Sequence, residues 1–156
     1  MNKLLLIISL VLFYSCGSLT PVLVNPDPIS KTFGIRGDKN ELYVKANNWM
    51  VENFNSAKSV IQFSDKEEGI VTGKYLLGSV HPDATGSPVK DVFAVIRLQV
   101  KDEATKITIT PEDYQYVTSI GVTESQKLTQ GKLDTQINQL IVSYEDYMKN
   151  STSTDF

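Results

Sequence analysis

Between Asp91 and Lys101 the residues alternate strictly enough to constrain the fold around them. Val92, Ala94, Ile96, Leu98 and Val100 share one parity, and Arg97, Gln99 and Lys101 share the other, with Phe93 and Val95 at its start. Successive side chains of a strand point to opposite faces, so this run predicts a strand with one face buried and the other open. Asp102-Glu103-Ala104 then turns the chain. Lys106 to Thr110 alternates again, with Ile107 and Ile109 inward and three polar neighbours outward. The centre of the fold is therefore an antiparallel meander, which leaves one face for other elements to cover.

Two amphipathic helices supply the cover. Asp38 with Glu41 three residues later is a helix start, and Leu42, Ala46, Trp49, Met50 and Phe54 follow at helical spacing, while Lys39, Lys45, Asn48 and Glu52 stay polar. This helix ends near Asn55, and its large apolar residues read as core rather than as the lining of a groove. The second helix runs from about Lys132 to Lys149 with a stripe of Leu133, Ile137, Leu140, Ile141, Tyr144 and Met148. Ile29 to Ile35 reads as a first strand and Ser59 to Ser64 as another. Asp65-Lys66-Glu67-Glu68-Gly69 is a turn, with Gly69 supplying the positive φ of a tight hairpin. Ile70 to Val80 returns, its Gly73 and Gly78 marking bulges or bends. His81 to Pro88 is a loop. Tyr114, Tyr116 and Val117 extend the sheet edge past Pro111, and Gly121 to Gly131 is polar and irregular. The order β-α-β-β-β-β-α predicts an α+β domain with both helices on one side of a curved sheet.

The chain's beginning reads as an export signal. Lys3 gives a short positive start, and Leu4 to Tyr14 is apolar except for Ser9. Eleven residues make a helix of roughly 16 Å against a bilayer core of about 30 Å, too short to span and right for a signal peptide. Phe13-Tyr14-Ser15-Cys16 resembles a lipobox, in which the Cys is acylated. Cys16 is the only cysteine of the 156 residues, so it competes with no disulfide or metal role. Residues 1–15 are thus expected to be a lipoprotein signal peptide, 16–28, with three prolines, a tether, 29–149 one folded domain, and 150–156 a polar tail. Removing a leader that holds only Lys3 leaves the mature chain more acidic than the −3 of the full sequence. Such a chain has no electrostatic footprint for nucleic acid. The expected location is the bacterial cell envelope, anchored to a membrane by palmitate-type acylation.

The run Glu41-Leu42-Tyr43-Val44-Lys45-Ala46-Asn47-Asn48-Trp49, then Phe54, Ala57-Lys58-Ser59-Val60-Ile61-Gln62, Asp65-Lys66-Glu67-Glu68-Gly69 and Gly73-Lys74, resembles the domain of unknown function 4468 family, across roughly residues 38 to 80. The resemblance implies a TATA-binding-protein-like fold and the setting of Bacteroidetes lipoproteins; in those an acidic run after the acylated Cys usually marks surface export, and none follows Cys16, so the resemblance implies a periplasm-facing outer-membrane anchor. It implies no activity. Shared architecture with a DNA-binding protein is analogy, since function resides in sites rather than folds.

Catalytic residue types are scarce. His81 is the only histidine and sits in His81-Pro82-Asp83 with no nucleophile motif nearby. A zinc site needs about three His or Cys ligands, so no metal or cofactor is expected. Asp65, Glu67 and Glu68 read as a charged hairpin tip. Tyr75, Phe93, Arg97, Gln99, Tyr114 and Tyr116 form the candidate binding face, several of them expected on the sheet surface opposite the helices. The sequence thus points to a non-enzymatic binding or assembly module with a protein, peptide or glycan partner. Two alternatives stay open. One is a glycan hydrolase pairing Asp65 or Glu68 with Asp91 or Glu112, and the other is a structural subunit of a surface complex.

Overall fold

A computed structural model describes residues 21–54, 59–81, 87–117 and 128–151. The leader, Cys16, residues 82–86 of the loop after His81, most of the irregular stretch before the last helix and the end of the polar tail lie outside the described residues. The elements are β1 (Val22–Val24), β2 (Ile29–Gly34), α1 (Lys39–Asn53), β3 (Val60–Asp65), β4 (Ile70–Val80), β5 (Lys90–Lys101), β6 (Ala104–Pro111), β7 (Tyr114–Tyr116) and α2 (Gln130–Asn150). Strands β2, β6, β5, β4 and β3 lie in that order in one curved, wholly antiparallel sheet. Both helices cover one face, giving the expected α+β architecture.

The sequence pattern explains why these elements form and where they stop. Asp38 caps α1 by accepting from the Glu41 N–H at 2.9 Å. Asp102, in the β5–β6 turn, accepts from the Lys39 N–H at 2.8 Å, so a second carboxylate serves the positive end of the helix. Lys39 Nζ donates to the Glu67 carbonyl at 2.7 Å. Two hairpin tips are thereby pinned to the start of α1. At the tip between β3 and β4, Gly69 adopts φ +67°, and a Cβ there would stand 2.5 Å from the Val100 carbonyl oxygen. Only glycine fits that turn against its neighbour.

The core lies between sheet and helices. Every apolar residue of the β5 alternation is buried, as are Ile107 and Ile109 of β6 and all six residues of the α2 stripe. Trp49 is 0% exposed. Its ring meets Tyr144 edge-on, 5.1 Å between centroids at 69°, and its Nε1 donates to Ser143 Oγ at 3.1 Å. The Tyr144 hydroxyl is hydrogen-bonded to the buried Thr105 hydroxyl on β6. One aromatic pair therefore joins α1, α2 and the sheet.

The glycines of β4 act differently from one another. Gly78 stands at a register shift between Leu76 and Gly78, the expected bulge. Gly73 stays in register on β4, while the facing strand shifts between Ile61 and Phe63. A Cβ on Gly73 would overlap the Phe54 ring and lie 2.8 Å from Met50 Cε. Gly73 is small because α1 presses on it. Gly73→Ala is expected to cost about 1–3 kcal/mol by overpacking, read as a lower thermal midpoint with the fold retained.

Two readings need correction. Tyr114 and Tyr116 do not prolong the sheet edge. They belong to β7, which pairs with β1 in a separate two-stranded ribbon, with Val24 opposite Tyr114 and Val22 opposite Tyr116. The stretch read as a tether thus contributes a paired strand, held by the burial of Val24 and Tyr114. The Tyr114 hydroxyl donates to the Leu128 carbonyl at 2.9 Å. Burial, with Tyr116 and Asp134 nearby, pushes the Tyr114 phenol up to about 12, and burial also raises Tyr144. A raised phenol contributes its stability below the ordinary tyrosine value of 10.0 and loses it as pH climbs through the folded value. The unfolding midpoint is expected to fall above pH 10, and Tyr114→Phe to flatten that decline.

Candidate functional site

The face of the sheet opposite the helices is uncovered among the described residues, and strand register places its residues in rows. Phe63, Thr72, Arg97, Thr108 and Ser30 form the central row, one from each strand. Val60, Lys74, Val95 and Thr110 form the next, and Asp65, Ile70, Gln99, Lys106 and Thr32 the one on the other side. Three of the six residues singled out from the sequence are here: Phe93, Arg97 and Gln99. Tyr75 is not. It pairs with Ala94, whose side chain is fully buried, and its ring packs on Phe54 at 5.5 Å, which puts it on the helix side. Tyr114 is buried in the ribbon, and Tyr116 stacks on it at 6.5 Å.

The rows reveal a pattern that parity alone does not. Lys74, Arg97 and Lys106 stand on adjacent strands, each displaced by two residues from its neighbour's partner, so they run diagonally across the face. Diagonal neighbours sit about 7–8 Å apart. Lys74 is engaged: its Nζ contacts Glu112 Oε1 at 2.9 Å and lies 4.2 Å from the centre of the Phe93 ring. Arg97 and Lys106 form no ion pair among the described residues, and both are exposed. Arg97 is flanked in its row by the hydroxyls of Thr72 and Thr108, the latter hydrogen-bonded to Ser30 at 2.8 Å. Phe63, 53% exposed, and Val95, 36% exposed, border the stripe. At one end, Gln99, Lys101, Lys106, Thr32 and Glu68 border a depression of 420 Å³. The arrangement can present cations, hydroxyl donors and apolar surface to one extended ligand.

The carboxylates considered for hydrolysis do not converge. Asp65 pairs with Ile70 and Asp91 with Ser79, at opposite ends of β4. Nine residues of strand separate them by about 30 Å. Asp65 accepts from the Glu68 N–H at 3.0 Å, Asp91 from the Ser79 hydroxyl at 2.8 Å, and Glu112 is paired with Lys74. No group of three or more His, Cys, Asp or Glu side chains able to hold a metal occurs among the described residues.

A curved antiparallel sheet with two helices on one face and the other face bare defines the class of TBP-like α+β domains. The family described as "Domain of unknown function (DUF4468) with TBP-like fold" matches residues 37–115, just over half of the chain, and the chain belongs to it. A TBP-like protein from Parabacteroides distasonis superimposes with a TM-score of 0.58 at 14% identity, covering 82% of this chain and 99% of that one. A DUF4468 family protein from Bacteroides ovatus gives a TM-score of 0.50 at 19% identity, over 92% and 96% of the two chains. These likenesses show the fold. Among curated proteins, none is similar in sequence. No helix among the described residues is long and apolar enough to cross a membrane.

Proposed function

We propose that this chain is an exported envelope lipoprotein, tethered through acylated Cys16, and that its bare sheet face is a non-enzymatic docking surface for an acidic protein or peptide. The observation that carries the docking reading is the diagonal of Lys74, Arg97 and Lys106 on a chain whose net charge is −3. An acidic chain that sets Arg97 and Lys106, both exposed and without an ion pair among the described residues, on a bare sheet face is complementary to negative charge there. Phe63, Val95 and Phe93 beside the stripe favour a partner with apolar side chains over a plain polyanion. The short apolar leader and the lone Cys at its end support the anchor. Two or more acyl chains hold a protein on a membrane durably, whereas one does so marginally. The lack of an acidic run after Cys16, a run that in the resembling lipoproteins usually marks surface export, favours a periplasm-facing outer-membrane position.

Cys16→Ala is expected to move the protein from the membrane fraction to the soluble fraction. A variant that stays with the membrane and carries no lipid would refute the anchor. A photoreactive residue at Val95 is expected to cross-link the partner in intact cells, while one at the exposed helix position Val142 does not. Equal products from both positions would refute the docking face.

A further inference from the structure

We propose a second binding site on the helix side of the sheet: a cleft that takes a small uncharged polyhydroxy ligand, the size of one sugar unit. The cleft lies between the end of α1, the middle of α2 and strand β4, and encloses 290 Å³. That is at the small end of the range for ligand pockets. Leu77 and Leu140 provide its apolar lining.

Five polar side chains converge on it, and each has capacity to spare. Asn53 Nδ2 donates to the Trp49 carbonyl at 2.9 Å, leaving its Oδ1 to accept. Ser143 Oγ accepts from Trp49 Nε1 at 3.1 Å, leaving its own hydroxyl proton to donate. Tyr75, Gln136 and Gln139 contribute a hydroxyl and two amides that make no hydrogen bond among the described residues. Gln136 Oε1 is moreover buried and has no hydrogen-bond partner among the described residues. A buried amide oxygen left unsatisfied destabilises a fold, and turning the Gln136 amide into the cleft, where a ligand hydroxyl can donate to it, would remove that penalty.

The chemistry of the lining selects the ligand class. Hydroxyl groups both donate and accept, which matches a mixed set of amides and hydroxyls. Among the described residues, no Asp, Glu, Lys, Arg or His lines the cleft. The described lining offers no charge to neutralise a phosphate, a carboxylate or an ammonium group, and no carboxylate to hold a cation. The Tyr75 ring, propped against Phe54, offers an apolar surface to the C–H groups of a sugar ring. The site is on the opposite side of the sheet from the basic stripe, so either can fail without the other.

The test is a titration of the ¹⁵N-labelled full chain with two probes, glucose and N-acetylglucosamine, following the side-chain amides of Asn53, Gln136 and Gln139. At least one sugar is expected to shift these signals with saturation, and glucose 6-phosphate to bind at least about tenfold more weakly than glucose. Gln136→Leu is expected to weaken binding at least about tenfold while the thermal midpoint holds or rises, because an apolar group replaces an unsatisfied one. Gln139→Ala, at an exposed position, weakens binding with the fold intact. The proposal is overturned if neither sugar moves these signals, or if both variants bind like the wild type. A fall in the midpoint of Gln136→Leu without any sugar binding by the wild type assigns Gln136 a structural role and also overturns it.

Discussion

Trp49→Ala is expected to lower stability by about 3–5 kcal/mol, the range for deleting a fully buried large aromatic side chain. Trp49 is 0% exposed, and truncation removes its edge-on contact with Tyr144 and the hydrogen bond to Ser143 together. Those contacts join the two helices above the sheet, so little nearby can collapse into the space. Against a domain stability of about 5–15 kcal/mol, the variant stands close to unfolding. Thermal melts followed by circular dichroism should show a midpoint lowered on the order of 10–20 °C. Ser143→Ala separates the two contributions. It leaves the indole N–H buried without its acceptor and is expected to cost about 1–3 kcal/mol. A loss below about 1 kcal/mol for Trp49→Ala would mean that the helices do not depend on this junction.

Reversing the stripe is expected to act on binding and spare the fold. Arg97 and Lys106 are exposed and make no ion pair among the described residues, so Arg97→Glu and Lys106→Glu should each change stability by no more than about 0.5 kcal/mol. Each reversal removes an attraction to an acidic partner and introduces a repulsion. At about 1.4 kcal/mol per tenfold, the pair should weaken binding at least about a hundredfold. Charges on an open face are screened over about 8 Å at physiological ionic strength, so wild-type binding should itself weaken as salt is raised. Binding indifferent to salt would point to Phe63, Val95 and Phe93 as its source and away from the cations.

The parts of the fold legible in the sequence are those with enough residues to display a period. The twelve-residue β5 and the stripe of α2 show their buried faces outright, and Asp38 with Glu41 marks the start of α1. Parity also places Phe93, Arg97 and Gln99 correctly. β1 and β7 are three residues each, too short for alternation to register, and they pair across most of the chain. That is why Tyr114 and Tyr116 read as a sheet edge. Tyr75 is harder to place from sequence. It shares the parity of the buried Val71 and Gly73, but two glycines and the bulge at Leu77 obscure the alternation of β4. The diagonal of Lys74, Arg97 and Lys106 depends on register between three strands, and the cleft on three elements meeting. Neither arrangement is present in any local window of sequence.

The docking claim is tested most directly by affinity capture from solubilised envelope membranes, comparing the wild-type chain with Arg97→Glu/Lys106→Glu at matched thermal stability. The wild type should retain an acidic partner that elutes with salt, and the double variant should lose it while keeping its membrane anchorage. Recovery of the same partner in the same amount by both chains would contradict the assignment of the sheet face.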